Sequence, residues 1–332
     1  MYDPLIGRRT FTGRSCALIA GAATGFVATR LADSNDATGE LPALLQAVES
    51  RFELKCDSLI SPRTIASDLA HVAYAGTRQT AMRAARALSE SAVVSRPERR
   101  AWLDRNKWRV ATLDGTDRFG NGEAHPGEIG CYMAVARYGP ELLEIVDWIP
   151  WKRVVLDACN QLNEGRPDCG HALLAALELG LVVEAALVER CSSLAAAMRS
   201  EAKLPRPCWG FHEIRALLAA STRIPDCSVQ CRTAAFFSLE RLLDNASTGR
   251  TLWPEGFDPE GRRAFSFLGH LMETIAIVHA THNGKRFVSN QELCRGASEC
   301  WRLFELEAEY IGAGPLTHFL GGLRALNSLR TG

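Results

Sequence analysis

The chain has 332 residues, of which 47% are hydrophobic and 23% charged, a composition that suits a globular protein of one large domain or two ordinary ones. Its 38 Lys and Arg are matched by 38 Asp and Glu, so no whole-protein positive field of the kind that draws in nucleic acid or acidic membranes is expected. No stretch of the sequence approaches the length of apolar residues that spans a bilayer.

Near the N-terminus, Arg8, Arg9 and Phe11 precede a small-residue, mildly apolar run. The pattern resembles a twin-arginine export signal, with Thr12 where such signals carry Leu, and that resemblance implies export. Without it, the same residues read as an amphipathic first helix of a cytoplasmic protein. The eleven cysteines favour the cytoplasm, because their number is odd, their spacing is irregular, and they lie in apolar helical runs such as "LDACNQL" and "VERCSSLAAA". A secreted disulfide framework is the alternative.

Helical signals then recur along most of the chain. "LPALLQAVESRF" (41–52) places apolar residues at helical spacing. Ser61-Pro62 reads as an N-cap followed by proline in the first turn. Ser95 with Glu98, and Ser289 with Glu292, fit the capping box, in which hydroxyl and carboxylate satisfy free backbone N–H groups reciprocally. Strand signals are scarce. "KWRVATL" (107–113) is the best, and a minor β-hairpin over 107–125 is the most β-structure expected. It runs into the polar, glycine-rich 114–128, which divides a helical N-terminal region (1–113) from a helical, repeat-like C-terminal region (129–332).

Within that second region, apolar runs centre on Gly139, Gly180 and Gly269, and another passes Gly312. Each reads as helix, a glycine that turns the chain, then helix. The first spacing is roughly 40 residues, the length of HEAT-like repeats, and the run around Gly180 is similar to the helical half of an ankyrin repeat without its Thr-Pro-Leu-His entry. The fold class expected is mainly α, a multi-helix array that is either an irregular bundle or a stack of HEAT/ankyrin-like helical repeats.

Few residues point to chemistry. In "HLMETIAIVHATHNGKR", at about 100° per residue, His279 and His282 share the arc of Leu271, Ile275 and Val278, whereas His270 and Glu273 fall on the opposite, polar face. Two inward imidazoles need partners. Cys227 and Cys231, one turn apart after Asp226, would complete a two-Cys, two-His zinc site, with the helix dipole lowering the thiol pKa of Cys227. A Cys-His nucleophile is also open, through Cys169 with His171 or Cys208 with His212. Asp114, Asp117, Asn121, Glu123, His125 and Glu128 gather in the polar loop as candidate binding residues, but Phe119 stands where a calcium loop needs glycine. Trp148 and Trp151 flank a proline and are candidate interface anchors.

No serine-hydrolase elbow, phosphate loop or dinucleotide fingerprint is present, so no catalytic residue is assigned. The leading expectation is therefore a protein-interaction module that binds a protein partner or itself and needs no cofactor. The alternatives are a zinc-dependent or Cys-His enzyme and a helical small-ligand binder.

Overall fold

The computed structural model describes residues 39–60, 72, 77–90, 170, 173–174, 177, 185–200, 207–247, 252–253, 261–281, 287–306 and 313–331. Among them the fold is mainly α, with eight α-helices and no strand. In chain order these are α1 (Leu41–Leu59), α2 (Arg78–Glu90), α3 (Ala185–Arg199), α4 (Phe211–Arg223), α5 (Ser228–Ser247), α6 (Arg262–Thr281), α7 (Asn290–Phe304) and α8 (Ala313–Thr331). The proposed hairpin, the 114–128 boundary and the caps at Ser61 and Ser95 lie outside the described residues.

The expected helix at 41–52 is present and runs on to residue 59. It buries Leu41, Leu44, Val48, Phe52 and Cys56, a three-to-four-residue stripe, and each large apolar side chain so buried contributes about 1.5–3 kcal/mol. That stripe faces α8, and Arg324 of α8 donates to Glu49 of α1 at 2.9 Å across the same interface. The outer pair of helices is built the same way. Leu187, Cys191, Leu194 and Met198 of α3 turn toward α5, which answers with Cys231, Ala234, Ala235 and Leu239.

Three helices form the centre. α6 packs most extensively on α8 and also meets α4 and α7. The approach of α6 and α8 is close enough that a methyl group on Gly269 would overlap the backbone of His318 and Phe319. Gly269 therefore does not turn the chain, as the repeat pattern suggested. It sits within a continuous helix, and what it supplies is room for a neighbouring backbone. Gly139, Gly180 and Gly312 lie outside the described residues. Phe265 of α6, Trp301 of α7 and Phe319 of α8 then lock the far side, with Phe265 edge-on to Phe319 at 4.7 Å.

The capping box of α7 is formed as expected. Ser289 Oγ accepts from the Glu292 backbone N–H at 3.1 Å, and Glu292 accepts from the Ser289 backbone N–H at 2.9 Å. The Ser289 hydroxyl, then its backbone N–H, hold the Glu292 carboxyl below the ordinary range. A depressed folded-state pKa adds stability above the unfolded pKa, and that stability is lost as pH falls through the folded value. Ser289→Ala should cost about 1 kcal/mol in urea unfolding at pH 7 and less as the pH falls and the folded-state Glu292 carboxyl is neutralised.

Candidate metal centre

The entry to α4 is unusual. Cys208, Trp209 and Gly210 are all left-handed, at φ 47°, 56° and 83°, and for the two non-glycine residues this costs about 1–2 kcal/mol each. Packing holds the turn in place. Trp209 and Phe211 both meet the Phe267 ring edge-on at 5.2 Å, and Phe211 stacks on His270 at 5.7 Å. The result is that Cys208, half-buried, is folded back over the first turn of α4 and its His212.

Five polar side chains converge behind that turn. α4 presents His212 and Arg215, α6 presents His270 and Glu273, and α8 presents His318; the i, i+3 spacing on α4 and α6 puts each pair on one face. All five are buried, His270 completely. The imidazole of His270 lies 3.8 Å from that of His318 and 4.6 Å from that of His212, centroid to centroid. Arg215 donates to Glu273 Oε2 at 2.8 Å, and Nδ1 of His270 lies 3.9 Å from the same oxygen. The backbone of His270 is tied down as well, since Thr274 Oγ1 donates to its carbonyl at 2.7 Å.

Charge limits what this cluster holds. Arg215 and Glu273 offset one another. Two imidazolium charges at this separation would repel by about 4 kcal/mol even at an effective dielectric of 20, so His270 and His318 do not both carry one. A neutral imidazole is the ligating form. Two ligand sets result, in each of which one atom per residue lies within 4.8 Å of the others: Cys208, His212 and His270, and His270, Glu273 and His318. They share His270.

This arrangement differs from the one expected. His270 and Glu273, assigned to a polar face, are buried because α4 and α8 cover the side of α6 that a single-helix projection leaves to solvent. His279 is half-buried in the last turn of α6, where the helix dipole favours a basic group, and His282 lies outside the described residues. Cys227 and Cys231 do come together, but their thiols gather with Cys191 of α3, and His279 is not in that group. Of the two Cys-His pairs, Cys208 and His212 are brought within ligand distance, while Cys169 and His171 lie outside the described residues. So do Asp114, Asp117, Asn121, Glu123, His125, Glu128, Trp148 and Trp151.

The expected activation of Cys227 is reversed. Cys227 closes a short 3-10 turn, Pro225–Cys227, whose N-cap is Ile224 rather than Asp226. Burial first, then the neighbouring Cys231, push its thiol up to about 12. A rise from 9.0 to about 12 lowers the thiolate fraction near pH 8 about 1,000-fold, so alkylation of this thiol is slowed. Cys208 is the one cysteine among those described that is not buried. Brief alkylation of the native protein at pH 8, mapped by peptide mass spectrometry, should modify Cys208 well before Cys56, Cys191, Cys227, Cys231, Cys294 or Cys300. Equal labelling of Cys208 and Cys227 would contradict the packing described.

No family model, curated protein or solved structure matches the chain. What defines the protein is the site itself: a mainly α fold in which one helix junction brings together three histidines, a carboxylate and a half-buried cysteine. Among the described residues, no helix is long and apolar enough to cross a membrane.

Proposed function

We propose that this is a metal-binding helical protein whose centre is the α4–α6–α8 junction, with zinc as the best-matched ion. The observation that carries it is the convergence of His212, His270 and His318, from three helices, beside Glu273 and Cys208. Each ligand set offers three protein donors of the nitrogen, sulfur and carboxylate types that zinc takes. Three donors leave a fourth position for water, which zinc makes acidic enough to serve as a nucleophile near neutral pH. Cys208 is the only partly exposed member, so the left-handed turn at 208–210 is the side from which an ion or small substrate arrives.

Elemental analysis of protein purified without chelator tests this. About one equivalent of zinc, lost in His270→Ala but kept in His279→Ala, is the expected result. Less than about 0.2 equivalents of zinc or iron, together with no uptake on adding zinc, rejects it.

Exposed Leu54, Leu303 and Leu306, the last 80% exposed at the end of α7, support a second reading as an interaction module, with or without repeat-like stacking. It requires concentration-dependent self-association that Leu306→Asp weakens, and a monomer at all concentrations counts against it.

A further inference from the structure

Cys191, Cys227 and Cys231 form a second cluster, away from the histidines, that the metal reading above does not use. Their sulfur atoms lie within 4.8 Å of one another, and the three residues are at most 2% exposed. Cys227 ends the 3-10 turn that leads into α5, Cys231 follows in the first turn of α5, and Cys191 comes from the facing side of α3. The thiols hydrogen-bond one another and also make weak contacts to backbone carbonyls: Cys231 to that of Cys191 at 3.9 Å, and Cys227 to that of Ile224 at 3.8 Å.

Donor number and charge narrow what such a cluster would hold. Among the described residues no histidine or carboxylate joins the three sulfurs, so the four-coordinate set that structural zinc takes is not supplied. Three thiolates around a divalent ion leave a net charge of −1, and around a monovalent soft ion −2, and a net charge at a buried site is costly. A trivalent sulfur-seeking element leaves none. Two of these thiols are held protonated: burial first raises that of Cys227 to about 12, and a hydrogen bond with Cys191, then burial, raises that of Cys231. A reaction that removes the three protons as water, without first making free thiolates, suits that environment.

We propose that Cys191, Cys227 and Cys231 form a trigonal three-sulfur site for a trivalent thiophilic species of the arsenous acid class. In the binding step, As(OH)3 exchanges three As–O bonds for three As–S bonds while three S–H bonds break, and three water molecules leave. Arsenic stays in the +3 state, and no oxidant or reductant is needed. Pro225, Asp226, Val229 and Gln230, which bracket Cys227 and Cys231 in the chain, are exposed, so the segment that carries both cysteines runs along the surface. The site is independent of the histidine centre and stands or falls separately from it.

Arsenite added to the reduced protein tests this directly. The loaded protein should gain one arsenic and lose three hydrogens in its intact mass. Tryptic digestion without reductant should then yield a bridged species joining Cys191–Arg199 to Ile224–Arg232, because cleavage after Arg190, Arg199, Arg223 and Arg232 isolates the three cysteines on two peptides. Cys191→Ala and Cys231→Ala should each weaken binding at least about tenfold, whereas Cys208→Ala should leave it unchanged. The peptide bridge is read on the unaltered protein, so a variant that fails to fold does not obscure the answer. Absence of binding, arsenic bridging other cysteines, or uptake of copper(I) but not arsenite overturns the proposal.

Discussion

Glu273→Ala should cost about 3–5 kcal/mol of folding stability, among the largest losses available to a single side chain here. Glu273 and Arg215 meet at 2.8 Å with side-chain exposures of 8% and 7%, so the carboxylate is what compensates a guanidinium held almost entirely out of water. Removing it takes away the carboxylate that Arg215 meets at 2.8 Å, in a site almost closed to water. Losing an exposed pair, such as Arg83 with Asp57, should cost less than about 1 kcal/mol, because water screens both ends. Urea unfolding in excess chelator reads the difference without the contribution of a bound ion. The double variant Arg215→Met, Glu273→Leu should recover most of the loss, since an apolar pair of similar volume needs no compensation. A cost below about 1 kcal/mol for Glu273→Ala alone would mean that water reaches the pair, and the cluster would then be an open cleft rather than a buried site.

The parts of the fold that were legible in the sequence are those whose cause is local. The stripe from Leu41 to Phe52 and the Ser289–Glu292 box depend on residues within a turn or two of each other, and both form as read. The histidine centre depends instead on which helices meet. A projection of α6 alone divides it into one apolar and one polar side, but α6 is covered by α4 and α8 where His270 and Glu273 lie. A signal was nevertheless present. His212, His270 and His318 each lie in a run dominated by apolar and small residues, in "GFHEIRALLAA", "FSFLGHLMETIAI" and "PLTHFLGGL". Where apolar residues occupy most of a helix surface, most of that surface is buried, so the few polar residues among them are buried too and need partners. The Cys pair shows the same limit: its one-turn spacing was readable, while its third member, Cys191, comes from another helix.

The second large effect falls on Gly269. An alanine in mid-helix ordinarily gains up to about 1 kcal/mol over glycine. At Gly269 the added methyl would overlap the backbone of His318 and Phe319, and no rotamer change relieves a clash with backbone. α6 and α8 must then separate, and their interface is reinforced by a second close approach, since a methyl on Gly322 would lie 2.7 Å from the Gly269 carbonyl oxygen. The steric cost, about 3 kcal/mol or more, outweighs the propensity gain, so Gly269→Ala should destabilise strongly and lower the unfolding midpoint with little change in slope. Gly296 provides the contrast. A methyl there meets only Leu252 Cδ1 at 3.0 Å, the tip of a flexible side chain, so Gly296→Ala should lie within about 1 kcal/mol of neutral. Because His270 and His318 flank the Gly269 contact, Gly269→Ala should also weaken zinc binding although residue 269 offers no ligand atom. A Gly269→Ala protein as stable as its parent would show that the helices are not in backbone contact, and the histidine geometry built on that contact would fall with it.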